Sequence, residues 1–295
     1  MTNADVQSLN ARSALCRTRL GRALLLSLAA SPLGACSSTS FEKRASEQLF
    51  APVSGSRIVV VNNVGAVSVT ADPAATDVRA HVVRVGKGGS PTSAAKALEE
   101  VTASLEAQPD GTIRASVIHP NPSGANRYEV IWEIVAPPAL AVQITNNVGE
   151  VKVVEFAGPI DISTDVGEVT VLGSQSGTSV RIDVGDAEVR SLPPISIVSD
   201  VGDIDLDVLP GASGAVVART DVGSIDMRLP RGGWGELDVL TGTGDVDVNL
   251  SDLGLTGVKR SDERFSATLV GGEGAKVEAR SGVGDVRVDV EPIPK

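Results

Sequence analysis

The side chains best placed to do chemistry in this 295-residue chain are carboxylates at a fixed place in a repeated phrase. Asp165, Asp183, Asp200 and Asp221 each stand two residues before a glycine, and Glu168, Asp186 and Asp203 each stand one residue after it. On neighbouring strands about 4.8 Å apart, such rows form ladders of oxygen ligands, the donor type that calcium takes. The same residue types have a second use, because a short side-chain oxygen can accept a bond from a backbone N–H two residues on and so close a bend. Two unit charges at that spacing repel by roughly 1 kcal/mol in water, so solvent and turn bonds suffice and no cation is required. The nine-residue calcium-binding β-roll needs an aspartate at a fixed offset, and Val246 occupies that offset in residues 241–248. We read these rows as turn chemistry with no metal or other cofactor, and keep the calcium ladder as the alternative.

Catalysis finds less support. The two histidines, His81 and His119, belong to no metal-ligand or nucleophile motif. Arg181, Arg190, Arg219, Arg228 and Lys152 fall at different offsets from the glycines and alternate with carboxylates, as on a solvated sheet face. No glycine-rich loop leads from a strand into a helix with a following lysine and hydroxyl residue, so a phosphate cradle is excluded. The expectation is a chain that is not an enzyme. The alternative is a polysaccharide-acting β-helix enzyme, with a groove built by residues 251–265.

The repeat explains where these residues sit. Its copies are anchored by Gly65, Gly149, Gly167, Gly185, Gly202, Gly223, Gly244 and Gly284, with steps after Gly149 of 18, 18, 17, 21, 21 and 40 residues. A period of 18–21 residues is that of a solenoid. The residues two and four after each glycine are all apolar, from Val67 and Val69 through Ile204 and Leu206 to Val286 and Val288. Polar residues lie between them, the alternation of a strand with one buried face. Five residues before each glycine stands another apolar residue, such as Ile144, Val180 or Val239, so a second inward strand precedes each turn. The glycine serves a corner that needs positive φ. The fold class is therefore all-β, a β-helix-like β-solenoid. An aromatic content of 2% fits thin coils stacked on small branched side chains.

Residues 141–295 hold the regular coils and 57–140 a less regular, β-rich N-terminal cap. Within the cap, Ala94, Ala97, Leu98, Val101 and Leu105 recur at helical spacing and predict one helix over 93–108. Residues 36–56 read as a tether. Residues 251–265, polar and without alternation, read as a loop, and Val286, Val288 and Val290 as a final edge with no following coil.

Ahead of the tether, Arg17, Arg19 and Arg22 precede an apolar run and then Leu33, Gly34, Ala35 and Cys36. Basic, apolar and small residues in that order make a signal peptide over 1–35. The apolar run is about 13 residues, short of the roughly 20 that span a bilayer. The Leu-Gly-Ala-Cys run resembles the lipobox of bacterial lipoproteins, which implies acylation of Cys36 and membrane attachment through that lipid. Ser37 in place of an aspartate then implies the outer membrane in a two-membrane cell. Cys16 lies in the segment to be removed, so the mature chain holds no internal disulfide. After residue 35 the net charge is about −14, from 22 basic and 36 acidic residues. That field excludes nucleic acid and anionic headgroups as direct partners.

The repeated VG(D/E)-strand phrase, the lipobox and the irregular first part with one helix together resemble the bacterial β-strand-repeat family known as "putative adhesin" or toastrack domains, over about residues 57–290. The resemblance implies an extracytoplasmic, non-enzymatic, single-sheeted solenoid tied to cell-surface interaction or envelope-stress systems. The expected function is a lipid-anchored cell-envelope scaffold for a protein or glycan partner, the alternatives being the enzyme above or a calcium-stabilised structural module.

Overall fold

The computed structural model describes residues 40–53, 55–119, 128–211, 214–250, 255–269 and 274–291. The leader and Cys36 lie outside the described residues.

The first part of the chain forms β1 (Phe41–Pro52), β2 (Arg57–Val64), β3 (Val67–Ala71), β4 (Asp77–Gly88), α1 (Pro91–Glu100), β5 (Thr102–Ala107), β6 (Thr112–Ile118) and β7 (Tyr128–Ala136). Pairs of strands then fold around successive corners: β8 (Ala141–Val148) with β9 (Val151–Val154), β10 (Ile160–Val166) with β11 (Val169–Ser174), and β12 (Thr178–Val184) with β13 (Ala187–Ser191). β14 (Ile195–Val201) with β15 (Ile204–Val208), β16 (Val216–Val222) with β17 (Ile225–Pro230), and β18 (Trp234–Thr243) with β19 (Val246–Leu250) continue the series. A hairpin of β20 (Leu255–Arg260) and β21 (Arg264–Leu269) leads to the pair β22 (Ala275–Val283) and β23 (Val286–Glu291).

Each corner sends one strand into each of two sheets. One runs β1-β4-β7-β3-β9-β11-β13-β15-β17-β23-β19, the other β20-β21-β18-β22-β16-β14-β12-β10-β8-β2-β6-β5. The β-solenoid expected from the period is present, but it has two sheets where the family resemblance implied one. Pairing between coils is parallel and in register, as in Ile162 opposite both Ile144 and Val180. Because successive side chains point to opposite faces, this register stacks like on like, and the apolar positions on either side of the glycines close over one core. None of the predicted inward residues exceeds 9% exposure. Burying each valine or isoleucine contributes roughly 1.5–3 kcal/mol, which is how the core forms with so few aromatic residues.

Four local expectations change. The tether reading of 36–56 fails at β1, which pairs along its whole length with β4, from Phe41 opposite Gly88 to Pro52 opposite Asp77. An edge strand half open to solvent needs no apolar alternation, so its partner defines it.

The helix is α1, ten residues rather than 93–108. Ser90 caps it in a capping box with Ser93, and Pro91 occupies its first turn. At its other end Arg84 Nη1 donates to the carbonyl of Val101 at 2.6 Å. Residues 102–107 instead form β5, antiparallel to β6. Val101 and Leu105 are four apart, a separation that shares a face in a strand as well as in a helix, so the spacing could not tell the two apart.

The loop expected over 251–265 is a hairpin from 255 on: β21 pairs antiparallel with β18, β20 pairs with β21, and the two cover that sheet edge, while 251–254 lie outside the described residues. Finally, Val286, Val288 and Val290 are no free edge. β23 lies between β17 and β19, and β22 between β16 and β18. The coil that comes latest in the sequence is wedged inside the stack: the 21-residue step from Gly223 to Gly244 leads past its slot to the outer coil, and the 40-residue step from Gly244 to Gly284 leads back into it.

Candidate functional site

All eight corner glycines hold φ between +127° and +150°. At Gly202 an added Cβ would also collide with the carbonyl oxygen of Gly185 in the adjacent coil. The corners therefore stack backbone on backbone.

Three residues before the glycine lies a buried polar ladder that pattern reading passed over. Ser199, Thr220, Ser281 and Thr241 each donate from the hydroxyl to the carbonyl oxygen of the corner glycine in the adjacent coil, Gly185, Gly202, Gly223 and Gly284, at 3.4, 3.0, 2.8 and 2.7 Å. Asn146, 0% exposed, donates to Gly65 at 3.2 Å and to Gly149 at 3.0 Å. Thr164 holds the same position, but its hydroxyl lacks a partner among the described residues. Ile182 replaces the ladder residue outright. The signal was available in the copies, as a small polar residue recurring in an inward-pointing register.

Carboxylates after the glycine also join coils. Asp186 accepts from the backbone N–H of Asp203 at 2.8 Å, Asp203 from Ser224 at 2.7 Å, and Asp285 from Asp245 at 2.9 Å. Those bonds run between coils rather than within one bend. Asp165, Asp183, Asp200 and Asp221 stand exposed beside them. Among the described residues no group of three or more His, Cys, Asp or Glu side chains is arranged to hold a metal ion.

Between the two acidic rows, one residue before each glycine, runs a line of valines. Val148, Val166, Val184, Val201, Val222 and Val283 are 44–51% exposed and lie on consecutive rungs.

A groove of about 630 Å³ lies at the start of the β8, β10, β12, β14 and β16 strands. Ala141, Pro159, Gly177, Pro194 and Ala215 keep its floor low and apolar. Gln143, Asp161, Ser179 and Ser196 line it on successive rungs, each in register with the next. Such a trough presents hydrogen-bonding groups at regular intervals to an elongated ligand. It was missed because the floor residues, each eight positions before a corner glycine, are Ala, Pro or Gly and show neither a shared residue type nor an apolar alternation.

Two buried carboxylates, Asp238 and Glu278, each 6% exposed, invite the catalytic question. Arg264 and Arg280 each lie 3.1 Å from Asp238, Arg280 lies 3.1 Å from Glu278, and Arg219 Nε donates to Glu278 at 2.8 Å. Both carboxylates are thus taken up in ion pairs within the sheet face. Arg190 and Arg228 likewise pair with Asp207 and Asp205. His81 faces Glu133 at 3.1 Å, and His119 stacks on Tyr128 with ring centroids 4.3 Å apart.

No family model and no curated protein matches the chain. Solved structures do align with it, two of them as follows. A "putative cell adhesion protein" from Clostridium sporogenes covers 84% of this chain and 100% of its own, at 12% identity and a TM-score of 0.38. A "putative adhesin" from Bacteroides fragilis covers 83% and 97%, at 13% identity and a TM-score of 0.39. Both descriptions agree with the resemblance drawn from the repeat. At these scores the likeness carries no argument about activity.

Proposed function

We propose that the protein is a non-enzymatic, lipid-anchored envelope scaffold that holds an elongated protein or glycan partner along the groove over β8 to β16. The observation that carries this reading is the groove itself, an apolar floor beside rungs of Gln143, Asp161, Ser179 and Ser196. The ion-paired state of Asp238 and Glu278 supports binding over hydrolysis. The lipobox residues Leu33, Gly34, Ala35 and Cys36 support attachment of the exported chain to the membrane, the outer one in a two-membrane cell.

Two experiments test it. Growth with labelled palmitate should label the wild-type chain and leave Cys36→Ser unlabelled and out of the membrane fraction; equal labelling of both would remove the anchor. Probing the full chain against panels of peptides and oligosaccharides should yield a ligand that Ser179→Trp, which fills the groove, no longer binds. A ligand held equally by Ser179→Trp would move the binding surface elsewhere.

A further inference from the structure

The valine line and its flanking acids form a second surface, independent of the groove. Six valines in unbroken register expose on the order of 400 Å² of contiguous apolar surface, the size at which patches on soluble proteins are often functional. In the eight repeat copies, the positions two before and one after the glycine hold ten carboxylates and no basic residue. Asp186, Asp203 and Asp285 have structural employment as acceptors of backbone N–H groups. Asp165, Asp183, Asp200 and Asp221 occupy neighbouring rungs in the exposed row, where stacking like charges opposes assembly. Arg181, Arg219 and Arg280 lie two positions before that row. Arg219 and Arg280 are held by Glu278 and Asp238, which leaves Arg181 as one exposed cation against seven carboxylates of the two rows that accept no backbone bond among the described residues.

We propose that this ridge docks a cationic amphipathic helix of a partner protein, its aliphatic stripe on the valines and its lysines or arginines reaching the acidic rows on either side. Charge selects the occupant, since a second copy, a nucleic acid or an anionic membrane would each bring negative charge against these rows. Five steps of about 4.8 Å make the valine line about 24 Å long, the length of about 16 helical residues. The helical pitch of about 5.4 Å lies closer to the coil spacing than the roughly 6.7 Å between same-side residues of an extended strand.

The test is titration of the full chain with a synthetic helical peptide of about 16 leucines and lysines carrying one leucine stripe, and with its glutamate-for-lysine counterpart. The lysine peptide should bind, more weakly as salt is raised, and the glutamate peptide should not. Asp183→Lys with Asp200→Lys should weaken binding by about tenfold or more, and Val184→Ser with Val201→Ser should weaken it while thermal unfolding stays cooperative. Glu99→Lys with Glu236→Lys, an equal charge change elsewhere on the surface, should leave affinity within about twofold. Equal loss from that control pair, equal binding of both peptides, or indifference to both ridge pairs would overturn the proposal. So would self-association of the full chain that the valine substitutions abolish, which would assign the ridge to a second copy.

Discussion

The hydroxyl of Thr220 donates to the carbonyl oxygen of Gly202 across 3.0 Å, joining one coil to the next at the corner where both turn. Thr220 is 3% exposed, so the bond replaces solvent for a backbone acceptor that the sheet ladder leaves over. Thr220→Val keeps the shape and removes the donor, and should cost about 1 kcal/mol. Urea unfolding of both chains measures it, and unchanged stability would show that the ladder serves no stabilising purpose. Ile182, natural at the equivalent position, shows that the solenoid survives one missing rung.

Gly202→Ala should be far worse. It combines a φ of +147° with a Cβ directed at the Gly185 carbonyl, so a loss of about 3 kcal/mol or more is expected. Gly89→Ala is the control, since nothing lies within 4 Å of its added Cβ. Equal melting temperatures for the two variants would refute the corner argument.

Calcium and chelator should leave thermal unfolding of the chain unchanged, because the carboxylates after the glycine are engaged with backbone N–H groups. Asp200→Asn, which relieves like-charge stacking, should be neutral or stabilise by a few tenths of a kcal/mol. A calcium-dependent rise in the melting temperature that Asp200→Asn removes would restore the metal ladder.

At the β5–β6 turn, the backbone N–H of Thr112 donates to Asp110 at 2.9 Å and holds its carboxyl below the usual aspartate range. A folded-state value lower than the unfolded one means that the contribution is present above the unfolded value and is lost as pH falls through the folded one. NMR titration should place Asp110 in the folded chain below its value in the urea-unfolded chain; coincident titration in the two states would remove the effect.

Val288→Asp should be as damaging as the same change at Val189, although Val288 belongs to the latest coil in the sequence. Val288 is 0% exposed and pairs with Met227 on one side and Val248 on the other. Folding of the Val288→Asp chain with only local fraying, seen by hydrogen exchange, would contradict this placement.

What the sequence disclosed follows from what repeats. Val151 and Val153 could be placed in the core because strand alternation around a corner glycine leaves them one face. Asn146 could be placed only by comparing the copies, where a small polar residue recurs in the inward register; taken alone, an amide reads as a surface residue until its acceptors, Gly65 and Gly149, are in place. β1 and the β20–β21 hairpin take their form from the edges they cover, information held in their partners. The order of the outer coils was hidden for the opposite reason. The Gly244 and Gly284 phrases both carry a glycine two positions earlier, Gly242 and Gly282, and either could follow Gly223.

That ambiguity has a cost in time. As a nascent chain emerges, β18 and β19 are complete before β22 and β23 exist, and the face offered by β16 and β17 is open to them. Solenoids grow by adding each repeat to its neighbour, and Val239 stands at the same place before its corner glycine as Ala279, the residue that pairs with Ala218. Premature docking would fill the slot with a coil of the wrong address, sound in every local contact, which must be expelled before its rightful occupant can enter. A molecule assembled from neighbouring repeats thus leaves one pairing, that of β22 and β23 between β16–β17 and β18–β19, to the end of its sequence.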